Sequence, residues 1–288
     1  MNPGTRVDTV PRTVFAGLLD DAAVFPPANA ALPEAVDAHR RHRAASYGDL
    51  VGPLVVPAAA LPVLPSGAVG ASFPVVVTLP GGPEQLPGVL ETATRLPVAI
   101  AALEIAVPDD MPVASLLAAV EQHVRDEALD VYIEVPRDDR RAPLLCELAG
   151  RYRAKFRTGG VRAELYPGED ELAAAIRAAV AAWVPFKATA GLHHAVRNTD
   201  ASTGFEQHGF LNVLLATAIA IDGASLHAIR AALAERDATV LAARVRELGE
   251  GVAAARTRFT SFGTCSIADP VRELTTLGLL TTPTGGLG

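Results

Sequence analysis

Two short segments carry the residues best suited to chemistry. One runs Lys155-Phe156-Arg157-Thr158-Gly159-Gly160, and the other runs from Phe186 through Lys187, Thr189 and Gly191 to His193 and His194. In each, a lysine stands at strand spacing before small residues, glycine and a polar loop. On adjacent strands, Lys155, Arg157 and Lys187 would converge on one cavity at the strand ends. A second cation nearby lowers an amine's pKa, and a neutral lysine adds to carbonyl carbon. The spacing therefore predicts Schiff-base chemistry, with Lys187 as the imine-forming amine and Lys155 as the neighbour that keeps it neutral. Glu104 and Glu134 are the candidates to shuttle protons. The forked donors of Arg157 suit a carboxylate or a phosphate.

These side chains need a scaffold that gathers strand ends. Short β-branched runs alternate with Ala- and Leu-rich helical stretches, the pattern of parallel strands joined by crossover helices. Strands are expected at residues 54–57, 73–79, 98–107, 130–135, 153–158, 184–189 and 257–262. Helices are expected at 83–95, 112–127, 142–151, 169–183 and 270–277, most of them with apolar residues three and four apart. The predicted fold is one α/β domain over residues 1–288, a (β/α)8-type TIM barrel with seven clear strands. An eighth strand at 22–25 or at 238–241 would complete it, and an irregular barrel is the alternative. Residues 1–48 read as an N-terminal helical extension and residues 281–288 as a flexible tail. An open doubly wound sheet is the runner-up, but no Gly-rich nucleotide fingerprint follows the first strand.

Barrel strands alternate between the helix-packed outside and the interior. That rule sends Glu104, Tyr132, Glu134, Lys155, Arg157, Lys187 and Thr189 inward and Phe186 outward. Buried charges are costly unless paired, so an interior ladder of salt bridges is the structural alternative to a catalytic site. Glu104 and Glu134 against Lys155, Arg157 and Lys187 leave the interior net positive, which favours a small anionic metabolite as substrate.

Composition narrows the partners. The chain is 50% hydrophobic with a mean hydropathy of +0.27, enough for a large core. No apolar run reaches membrane-spanning length, and no signal-peptide pattern precedes Asp20 and Asp21. The net charge is −7, and the closest basic cluster, Arg40, Arg41 and Arg43, shares its helix with Glu34 and Asp37. Neither a nucleic-acid nor a membrane partner is expected. Cys146 and Cys265 are too far apart for a disulfide framework or a metal-binding pair, which fits a cytoplasmic setting. A homo-oligomer is compatible with all of this.

The two lysine segments resemble those of deoxyribose-phosphate aldolase, a class I aldolase barrel. Phe186–Leu192 is similar to the family's K-T-S-T-G segment, whose lysine forms the imine. Lys155–Val161 is similar to its K-x-S-G-G-[IV] segment, whose lysine tunes the first. The resemblance implies a lyase with Lys187 at the imine position and Lys155 at the tuning position. The two segments stand here in the reverse of the family's order along the chain. Leu18–Ala28, reading LLDDAAVFPPA, also resembles a group of bacterial proteins with no assigned activity.

The histidines offer a different chemistry. His193, His194 and His208, with Asn212 and a glutamate, are candidates to bind substrate or a divalent metal, as in a metal-dependent hydrolase or isomerase. The Schiff-base reading needs no cofactor. A third reading is a non-catalytic barrel that binds a small metabolite. The remaining histidines, His39, His42, His123 and His227, read as surface residues of helices. Ser261, Gly263 and Ser266 follow the last strand, where barrels often bind anions through backbone N–H groups. Cys265 is a candidate nucleophile without a partner evident in sequence. Asp20 and Asp21 are further site candidates, and the polar loop 193–208 is a candidate lid.

Overall fold

The computed structural model describes residues 10–65, 70–96, 98–126 and 128–280. Its centre is a closed barrel of eight parallel strands. These are β1 (Leu19–Asp21), β2 (Val51–Pro57), β3 (Gly70–Leu79), β4 (Val98–Ala106), β5 (Asp130–Glu134), β6 (Arg153–Arg157), β7 (Phe186–Thr189) and β10 (Phe259–Thr264). A two-stranded hairpin, β8 (Asn198–Thr199) and β9 (Glu206–Gln207), stands outside the barrel between β7 and β10. Each barrel strand pairs with its successor, and β10 closes the ring between β7 and β1. This is the TIM-barrel arrangement the alternating pattern predicts.

The alternation also sorts the side chains. Leu54, Val56, Val75, Val77, Leu103, Ile105, Val131, Ile133, Phe156 and Phe186 face the helices and belong to the main core. Val55, Val76, Ala102 and Tyr132 form a second, smaller cluster, joined by Ala22 and Phe25. That second set is the filling of the barrel interior, one residue out of phase with the first.

Helices cover the outside: α1 (Leu32–Ala44) after β1, α2 (Leu86–Arg95) after β3, α3 (Val113–His123) after β4, α4 (Arg141–Leu148) after β5 and α5 (Glu169–Ala181) after β6. After β2 the described residues form a 3-10 helix, Ala58–Val63. The stretch between β9 and β10 folds into α6 (Phe210–Ile221), α7 (Leu226–Ala234), α8 (Ala238–Glu247) and α9 (Gly251–Arg256), and α10 (Ala268–Thr276) follows β10. Ser225 and Asp237 accept hydrogen bonds from the first-turn N–H groups of α7 and α8, which starts each helix where the chain turns. Helix α6 is apolar around nearly its whole circumference and is buried accordingly.

The eighth strand is neither of the two expected segments. Residues 238–241 open α8 behind the Asp237 cap, and residues 22–25 form the turn after β1. The strand itself is Leu19-Asp20-Asp21, so the stretch read as a helical extension supplies both the first strand and the first helix. Paired acidic residues hide a strand from propensity arguments, because each needs a buried partner that only tertiary structure supplies. Here Asp20 points into the barrel to Lys187, and Asp21 points outward to His39 of α1 at 3.0 Å. His39, expected on the surface, is therefore only 2% exposed. The expected tail, residues 281–288, lies outside the described residues.

Candidate functional site

Strand register places the interior charges in contact. Lys155 of β6 lies directly beside Lys187 of β7, and Glu134 of β5 lies beside Lys155. Glu104 of β4 bridges the two lysines, with Oε1 accepting from Lys187 at 2.5 Å and Oε2 from Lys155 at 2.7 Å. Asp20 accepts from Lys187 at 2.5 Å and from the Ser261 hydroxyl at 2.7 Å. Glu134 accepts from Lys155 at 3.2 Å and from Arg157 Nε at 2.8 Å. The result is one chain of alternating charge, Asp20–Lys187–Glu104–Lys155–Glu134–Arg157. Asp20 changes the interior tally from net positive to balanced.

The two lysines differ in depth. A cavity of about 680 Å³ opens at the carboxyl ends of the strands, and its wall includes Glu104, Glu134, Lys155, Arg157 and Thr189. Neither Lys187 nor Asp20 reaches that wall, and Lys187 is 1% exposed beneath it, over the face of the Tyr132 ring at 5.3 Å. Tyr132 in turn shares a hydrogen bond with Thr260.

This geometry bears on the role expected of Lys187. Burial alone would push its amine down, but the carboxylates of Asp20 and Glu104 outweigh burial and lift it well above the usual lysine range. In this structure its amine is paired with two carboxylates, an arrangement that favours the ammonium. The reason is that a shared carboxylate, Glu104, lies between the two amines and offsets their mutual repulsion.

The carboxylates respond in the opposite sense. Burial would raise Glu104, yet Lys155 and Lys187 hold it down to about 2, and Lys155 with Arg157 likewise holds Glu134 low. A depressed carboxyl contributes stability that is present above its unfolded pKa and is lost as pH falls toward its folded value. Glu104→Gln should therefore be less stable than the wild type at neutral pH, and the gap should close as pH falls from about 4.5 to about 2. Urea unfolding of both proteins across that range measures the gap; one that stays constant with pH would contradict the assignment.

The rest of the cavity comes from loops. Phe25, Pro26, Leu79, Tyr166 and Phe205 give it an apolar side. The loop after β7 turns at Ala190 and Gly191, both at positive φ (58° and 71°), and packs against the loop after β6. A Cβ at Gly191 would stand 2.8 Å from the Thr158 carbonyl and 2.9 Å from the Tyr166 ring. Gly191→Ala should cost about 1–3 kcal/mol from the left-handed backbone alone, with more from the clash, read as a lower urea midpoint.

The histidine set is not convergent. His193 lines the cavity and its Nδ1 lies 3.4 Å from Cys265 Sγ. His194 turns away to Glu273 of α10 at 2.7 Å. His208 is buried; its Nε2 donates to the Pro167 carbonyl at 2.8 Å and its Nδ1 faces Arg197 Nη1 at 3.2 Å. Burial holds His208 neutral, with its pKa down to about 4. Asn212 accepts from the Arg197 backbone and donates to the Ala232 and Glu235 carbonyls, so it clamps loop to helix and does not line this cavity. His193, His194 and His208 thus cannot share one ion in this arrangement, and no cluster of three metal-ligating side chains occurs among the described residues.

Of the expected anion-binding residues, Gly263 lines the cavity, Ser261 is committed to Asp20, and Ser266 Oγ accepts from the Asp269 N–H at the start of α10. The expected lid, loop 193–208, folds as the β8–β9 hairpin and contributes Asp200, Ser202, Thr203, Phe205 and Gln207 to the cavity wall. Sequence reasoning missed Gln207, which carries no motif, and the Cys265–His193 contact, which joins residues 72 positions apart.

No protein-family model matches the chain, and a search of the curated proteins finds no related sequence. Among the described residues no helix is long and apolar enough to cross a membrane. The functional reading therefore rests on the site itself.

Proposed function

We propose that this barrel carries out carbonyl chemistry, carbon–carbon bond cleavage in particular, on a small anionic metabolite, with Lys155 as the imine-forming amine. The observation that carries this reading is the position of Lys155. It is the lysine of the charge chain that lines the cavity, and it stands between two carboxylates, Glu104 at 2.7 Å and Glu134 at 3.2 Å. Lys187 supports it from below as a permanent positive charge.

The Lys155 amine is ion-paired with Glu104 and Glu134, and addition to a carbonyl requires it to give up a proton. Arg157 is one of the cations that keeps Glu134 a weak base. A substrate carboxylate or phosphate pairing with Arg157 offsets that charge. Glu134, 3.2 Å from the Lys155 amine, then becomes basic enough to take its proton. In this scheme the substrate's own anion exposes the nucleophile.

Borohydride trapping with a panel of small aldehydes and keto acids tests the proposal. The expected result is a reduced adduct on the peptide containing Lys155 and none on the peptide containing Lys187. Absence of any adduct on Lys155 across the panel sinks the imine. The double ion pairing of Lys155 favours one other reading of the same residues: the ammonium stays charged, polarises the substrate carbonyl and stabilises an enolate, with Glu134 as base. That reading gives substrate α-proton exchange without trapping. A non-catalytic barrel gives thermal stabilisation by the ligand and neither of these signals.

A further inference from the structure

Cys265 ends up far from where sequence reasoning leaves it. It follows the last residue of β10, and β10 is hydrogen-bonded to β7, whose following loop carries His193. The turn at Ala190 and Gly191 brings His193 Nδ1 to 3.4 Å from the Cys265 sulfur, and both residues line the cavity that holds Lys155. The thiol is therefore neither alone nor remote from the site.

Four further observations bear on what the pair can do. Burial pushes the Cys265 thiol up, so at neutral pH it carries its proton and requires a base to react. Backbone hydrogen bonds at Ala28 and at Cys265 itself act in the other direction, toward the thiolate. Burial also keeps His193 below the usual histidine range, which makes it the neutral imidazole able to accept a proton. On the same cavity wall stands Gln207, 4% exposed, whose buried Oε1 has no hydrogen-bond partner. A buried acceptor left unpaired costs on the order of 1–3 kcal/mol, so it calls for a donor from a guest.

We propose that Cys265, with His193 as its base, is a second nucleophilic site of this cavity, taking the aldehyde function of a small hydroxylated metabolite as a thiohemiacetal. The step balances within the residues present. Sulfur bonds to the carbonyl carbon while the C=O π bond breaks to an alkoxide. The thiol proton passes to His193 and from there to that oxygen, and the reverse path releases the aldehyde. No oxidant or reductant is needed. A hydroxyl on the guest would serve the Gln207 oxygen. The inference rests on the carbonyl reading above and adds to it a holding site for the aldehyde.

Alkylation by iodoacetamide, followed by peptide mass analysis, tests it, with exposed Cys146 as an internal reference. In the wild type Cys265 should be alkylated at least about tenfold faster than in His193→Gln, while Cys146 reacts equally in both. In Lys155→Ala, where no imine can form, D-glyceraldehyde should still slow alkylation of Cys265 and leave Cys146 unaffected. Equal Cys265 rates in the wild type and His193→Gln, or no alkylation of Cys265, would overturn the dyad. Absence of protection by glyceraldehyde in Lys155→Ala would overturn the aldehyde assignment. The arms stand apart from trapping at Lys155, so either proposal can fail without the other. His193→Ala serves as the second variant if the glutamine protein does not fold, with Cys146 reactivity and circular dichroism reporting its folding.

Discussion

Replacing Lys187 with methionine should destabilise the protein by about 3–5 kcal/mol, the cost of breaking a buried ion pair and leaving its partner uncompensated. The melting temperature should fall by roughly 5–15 °C. The reasoning starts from depth. Lys187 is 1% exposed and spends its donors on Asp20 and Glu104 at 2.5 Å each. Without the ammonium, Glu104 keeps Lys155, but Asp20 keeps only the Ser261 hydroxyl. Burial already pushes the Asp20 carboxyl up, so with its cation gone it must take a proton or draw in water. The double variant Lys187→Met/Asp20→Leu should recover much of the loss, because an apolar pair can replace a buried ion pair at little cost. Guanidinium unfolding of the three proteins decides the matter. A single variant within about 1 kcal/mol of the wild type would show that Lys187 does not anchor the barrel interior, since ordinary neutral substitutions fall in that range.

Lys155→Ala should have the opposite profile, a small loss of stability and loss of function. The carboxylates around Lys155 each keep another cation: Glu104 retains Lys187, and Glu134 retains Arg157. The site borders the cavity, where water can replace the amine. The adduct trapped by borohydride should disappear, and turnover of whichever substrate traps in the wild type should fall at least about 10³-fold, as for loss of a nucleophile. Lys155→Arg separates the two readings of the site. Arginine restores the positive charge but forms no imine under these conditions, so it should stay inactive if the amine is covalent. Recovery of turnover in Lys155→Arg would instead favour an ammonium that polarises the carbonyl. Trapping that persists in Lys155→Ala would place the imine elsewhere and end the proposal.

The two variants together measure a division of labour within one layer of the barrel. Register makes Lys155 and Lys187 neighbours on adjacent strands, and a single carboxylate, Glu104, holds both. Depth then separates them into an amine at the cavity wall and a charge buried beneath it. Glu134 links Lys155 to Arg157 at the cavity wall.

Strand alternation made a large part of this legible in the sequence. The seven expected strands all form, most within two or three residues of the expected ends, because β-branched residues recur with period two between amphipathic helices. The same period correctly turned Glu104, Tyr132, Glu134, Lys155 and Lys187 inward. The eighth strand escaped because Asp20 and Asp21 lack the β propensity that marks the others. They form a strand only because Lys187 and Ser261 wait on one side and His39 on the other. The histidine group misled for the reciprocal reason. His193, His194 and His208 are close in sequence, but the turn at Ala190 and Gly191 and the β8–β9 hairpin send them to Cys265, to Glu273 and to the Arg197–Pro167 pair.

By itself, the sequence determined the barrel pattern and the inward side of the seven expected strands, since both follow from local periodicity and the demand that apolar faces be buried. Which charge pairs with which, and so which lysine stays an ammonium and which meets the cavity, was decided only by tertiary structure. Pairing energy depends on distances between residues as much as 167 positions apart, as in Lys187 and Asp20, and no local pattern encodes those distances.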